Sequence, residues 1–149
     1  MKTIPLILSA FLVFFTACSK DSFETKPTLT VKSVNSKSLD QGEDFVANLE
    51  FTDKEGDVDN VIYVIRQRVN KLGQRTVSDD YTVPEFPNND KGDIEVVLRY
   101  SFELTAGFTA IPMPGNQKQP DTMNIKFVLK DRASNLSDTA IVSNVIIRR

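Results

Sequence analysis

A chain of 149 residues with 18 basic against 20 acidic side chains is long enough for one domain with a real core. It has no basic excess to neutralise phosphates, so nucleic acid is not an expected partner. The absence of His removes the usual general base near neutral pH and the commonest transition-metal ligand, and the absence of Trp removes the strongest platform for stacking on sugars or cations. A single Cys excludes an internal disulfide.

Lys2 followed by an apolar run over residues 4–15 has the pattern of a secretion signal. The run is shorter than the roughly 20 residues that a membrane-spanning helix needs. It ends in Phe15-Thr16-Ala17-Cys18, which resembles the bacterial lipobox, with Phe15 standing where an aliphatic residue is usual. The resemblance implies cleavage after Ala17 and acylation of Cys18, leaving 1–17 as a lipoprotein signal peptide. The other reading is an ordinary signal peptide with Cys18 as a stray thiol. Residues 18–26 are then the lipidated Cys and a polar tether, and the eight residues after Cys18 reach at most ~26 Å. Lys20-Asp21 is similar to the short export signal of Bacteroidetes-type surface lipoproteins, and also reads as a solvated linker. The expected location is the outer membrane, lipid-anchored, on its periplasmic or cell-surface face.

From residue 27 onwards the signals are those of strands. Leu29, Val31 and Val34 sketch an edge strand, and turn residues fill 35–43. Phe45, Ala47, Leu49 and Phe51 fall on every second position, with Asn48 and Glu50 on the other face, as a half-buried strand requires, and 61–65 reads as a nearly continuous apolar strand covered on both faces. Residues 75–86 look like a short irregular edge bounded by Pro84 and Pro87. Alternation from Ile94 to Leu104 predicts the longest strand, and further strands are expected at 123–129 and 139–147. Seven or so strands without an amphipathic helix predict an all-β sandwich of Greek-key type over 27–149.

Asp131-Arg-Ala133-Ser-Asn135-Leu-Ser137 is similar to the D-x-A-G-N-x-S/T turn of bacterial immunoglobulin-like domains, with Ser134 in place of Gly. Together with Asp53-Lys-Glu55-Gly56-Asp57, it makes the chain resemble the small immunoglobulin-like lipoproteins of Bacteroidetes. That resemblance implies a fold and a location, and no catalytic residues.

The same topology would bring Asp53, Glu55, Asp57 and Asp59 to one pole with Asp131 and Asn135. Such a pole suits Ca²⁺, which takes six to eight oxygens at about 2.3–2.6 Å. It also suits turns in which Asp and Asn bond their own backbone. The long connection 105–120 holds Phe108, Ile111 and Met113, either as an apolar contact for a partner or folded back to close the core. No Gly-x-Ser-x-Gly turn or Gly-rich phosphate loop is present. The sequence therefore points to a non-catalytic binding or structural module with a membrane anchor, facing envelope proteins or glycans. A calcium-binding module is the alternative. A small glycan-active enzyme using Glu55 and Asp57 would need a cleft that an exposed turn does not offer.

Overall fold

The computed structural model describes residues 26–58, 60–85 and 90–149. The expected signal segment, Cys18, most of the tether and Asp59 lie outside the described residues. Two sheets pack face to face as a β-sandwich. One has the order β1 (Thr28–Val34), β3 (Phe45–Thr52), β6 (Lys91–Leu98). The other runs β2 (Ser38–Leu39), β10 (Ala140–Ile147), β9 (Asp121–Lys130), β4 (Val61–Arg68), β5 (Arg75–Thr82). All ladders are antiparallel except β2 with β10, where the chain leaves the first sheet and pairs in parallel with the second.

Period-two alternation builds the core. Phe45, Ala47, Leu49 and Phe51 of β3 face Met123, Ile125, Phe127 and Leu129 of β9 across the sandwich, and all eight are fully buried. β4 lies inside its sheet between β9 and β5, with Ile62 and Val64 inward and Val61, Tyr63 and Ile65 half-covered on the outer face. In β10 the ladder slips between Val142 and Val145, where Asn144 adopts φ 59°. The slip lets Val142 and Val145, of opposite parity, both point inward.

Three expectations are corrected. The alternation from Ile94 does not continue as one strand to Leu104: β6 stops at Leu98, and Tyr100–Leu104 forms a single wide helical turn. Glu103 causes the change. Its carboxylate accepts the Arg99 backbone N–H at 2.9 Å and also holds the Arg99 side chain, while the Asp44 carboxylate takes the Tyr100 N–H at 2.8 Å. Leu104 thus turns inward and Phe102 outward. The longest strand is β9, with 10 residues. Residues 75–82 are a regular edge strand of eight residues, because every position finds a partner on β4.

The connection after β6 contains a small hairpin, β7 (Ile111–Pro112) with β8 (Lys118–Gln119). Phe108 and Ile111 are buried, which removes both as exposed partner contacts; they close the end of the sandwich, and Met113 alone of the three stays exposed. Apolar loop side chains pack where a sheet end offers uncovered core. Among the described residues no helix is long and apolar enough to cross a membrane.

Candidate functional site at the acidic pole

Two strands carry their inward parity one step past their ends and place a carboxylate there. Asp53 follows Phe51 in the β3 series and is 3% exposed; Asp131 follows Leu129 in the β9 series and is fully buried. Asp53 organises the turn behind it. Its Oδ2 accepts the Asp57 N–H at 3.1 Å and its carbonyl accepts the Gly56 N–H at 3.2 Å, with Gly56 at φ 67°. Asp131 organises the other loop, where Oδ1 accepts the Asn135 N–H at 2.7 Å and Oδ2 accepts Asn135 Nδ2 at 2.8 Å. The two loops are joined directly. Asn60 Nδ2 donates to the Asp131 carbonyl at 2.7 Å, and the Arg132 N–H donates to the Asp57 carbonyl at 3.0 Å.

The electrostatics follow from this crowding. Burial, first, and then the adjoining Asp53 carboxylate raise the proton affinity of Asp57 above the ordinary carboxylate range; the charges of Asp131 and Glu55 push the same way. Asp53 Oδ1 and Asp57 Oδ1 are both buried without a hydrogen-bond partner.

Of the residues expected at this pole, Asp53, Asp57, Asp131 and Asn135 are brought together. Glu55 is exposed on the same turn, and Asp59 is outside the described residues. Asp131 and Asn135 hydrogen-bond each other and shape the loop. Among the described residues no three acidic, His or Cys side chains converge as a ready-made ligand set. The depression at this pole, about 290 Å³, is lined by Lys26, Lys54 and Lys91 with Asp53 among others, and Glu55 and Asp57 are not in its wall. Glu55 and Asp57 thus do not face each other across this depression.

At the opposite pole the structure holds a charged network that pattern reading passed over. Arg66 and Arg68 continue the inward parity of Ile62 and Val64 on β4, and both are almost fully buried. Arg68 Nη1 meets Asp121 Oδ1 at 2.9 Å and Arg149 Nε meets Asp121 Oδ2 at 2.7 Å. Arg66 pairs with Asp79 and donates to the Ala106 carbonyl at 3.2 Å. Both guanidinium groups lie over the Phe108 ring, at 5.6 and 5.4 Å from its centroid. The signal was available: Arg66, Arg68 and Asp121 all occupy inward positions of their strands.

No family model and no curated protein matches the chain. Among solved structures it is similar to sporulation control protein Spo0M from Bacillus subtilis, at 8% identity and TM-score 0.46 over 83% of this chain and 50% of that one. It is also similar to a β-glucosidase from Listeria innocua, at 13% identity and TM-score 0.43 over 83% of this chain and 16% of that one. A third likeness is to the β-glucosidase EmGH1 from Erythrobacter marinus, at 7% identity and TM-score 0.42 over 83% and 15%. The chain thus spans half the length of the first and about a sixth of the glucosidases. Likenesses this distant carry no argument about activity.

Proposed function

We propose that this chain is an exported lipoprotein, cleaved after Ala17 and acylated on Cys18, that holds one immunoglobulin-like sandwich at the outer membrane as a non-catalytic binding or structural module of the envelope. The observation that carries the reading is the lone Cys set directly behind small residues at the end of a short apolar run. Several acyl chains at about 0.8 kcal/mol per buried CH₂ hold such a domain at a bilayer where one chain does not. The strand order β1-β3-β6 against β2-β10-β9-β4-β5 supports the immunoglobulin-like Greek key.

The fold also supports an orientation. β1 starts at the acidic pole, where Lys26 is ion-paired with Asp138. A short tether therefore sets that pole toward the bilayer. The far pole, with Leu72, Phe102 and Met113 exposed, then faces away, where envelope proteins or glycans are met. Labelling of cells with a clickable fatty acid tests the anchor: wild type should carry the label in the membrane fraction, and Cys18→Ala should lose both label and membrane association. Unchanged labelling of that variant sinks the reading.

A further inference from the structure

We propose that Asp53 and Asp57 bind a divalent cation of the calcium class within the turn between β3 and β4. This site is independent of how the chain reaches or stays at a membrane. The observation beyond acidity is that Asp53, buried to all but 3% of its surface, presents Oδ1 with no donor, while its other oxygen is spent on the Asp57 N–H. Asp57 Oδ1, on the adjoining carboxylate, is likewise enclosed and unpartnered. An ionised carboxylate oxygen out of water and without a donor is unfavourable, and two side by side are more so.

A single shared proton relieves one charge of this pair and leaves the buried Asp131 beside it. A dication relieves two. The backbone is already closed here, since the Asp57 N–H donates to Asp53 Oδ2 and the Asp57 carbonyl accepts the Arg132 N–H. All donors here are oxygens, which selects a hard cation. An irregular turn suits calcium, which tolerates variable geometry, better than magnesium, which demands a near-ideal octahedron. With two protein carboxylates and water completing the shell, the affinity belongs to the weak extracellular range, about 10⁻⁴–10⁻³ M.

Calorimetric titration of the purified full chain in detergent with CaCl₂ tests this. One saturable site per chain in that range is expected, with a rise in unfolding midpoint that chelator reverses and that equal MgCl₂ does not match. Asp57→Asn should abolish binding and, without calcium, melt no lower than wild type, because the repulsion is gone. Asp138→Asn, at the same pole but exposed, should bind as wild type does. The proposal is overturned by a wild-type chain that shows no saturable uptake below about 10 mM, ten times the weak end of that range. Binding retained by Asp57→Asn, or a magnesium effect as large as calcium's, overturns it equally. If the variant does not fold, the wild-type isotherm decides alone.

Discussion

Arg68 and Asp121 meet at 2.9 Å as a buried ion pair, joining the end of β4 to the start of β9. Asp121 is the shared anion of two arginines, since Arg149 reaches its second oxygen. Removing it leaves buried guanidinium groups uncompensated, which typically costs about 3–5 kcal/mol. Asp121→Asn should therefore lower stability by an amount of that order in urea unfolding at neutral pH. A loss below about 1 kcal/mol, the scale of a surface pair, would mean that the network is solvated.

Ser134 sits at φ 72°, in the left-handed region that favours Gly. A side chain there costs roughly 1–2 kcal/mol, and Gly gives back about 0.5–1 kcal/mol through the unfolded chain. Ser134→Gly should stabilise by the difference, about 0.5–1 kcal/mol, seen as a higher denaturant midpoint at unchanged slope. A lower midpoint would contradict the strain argument.

Phe108 and Met113 come from one loop yet differ in burial. Phe108→Ala removes a ring packed under two guanidinium groups and should cost about 3–5 kcal/mol. Met113→Ala should stay within about 0.5 kcal/mol, as exposed substitutions do. Equal effects in a thermal scan would refute the division of the loop into a packed and an exposed half.

Glu103 is held below the ordinary carboxylate range, chiefly by its hydrogen bond to Arg99. A carboxylate whose folded pKa lies below its unfolded one adds stability at neutral pH and loses it as pH falls through the folded value. Glu103→Gln should thus melt slightly below wild type at neutral pH, and the gap should close in acid. A gap that persists in acid points to a steric fault in the turn and not to charge.

The hydrophobic pattern specified β3 and β9 closely, because the inner faces from Phe45 to Phe51 and from Met123 to Leu129 are unbroken and the outer faces polar apart from Val46 and Val128. It overran β6, where Tyr100, Phe102 and Leu104 keep strand periodicity while the Arg99–Glu103 bond bends the backbone into a helical turn. Local alternation does not register a side chain four residues on. Asp53 and Asp57 could be named from the sequence, but their orphaned oxygens could not: those depend on how the Asp131 loop closes over them. The arginines of β4 were passed over because charge marks a residue for the surface, while parity marks Arg66 and Arg68 for the interior, and parity prevails here.

β1 and β2 lie close together in the chain but join opposite sheets: β1 runs antiparallel to β3, and β2 lies parallel to the last strand. A pull applied at Lys26 and resisted at the far pole therefore acts along β1, so its ladder to β3 is loaded in shear, with many hydrogen bonds bearing the force together. Should β1 slip, the two-residue stitch at Ser38–Leu39 still fastens the chain to the other sheet. Along that axis the fold yields only when many bonds fail at once, whereas a pull across the sheet would open them one by one.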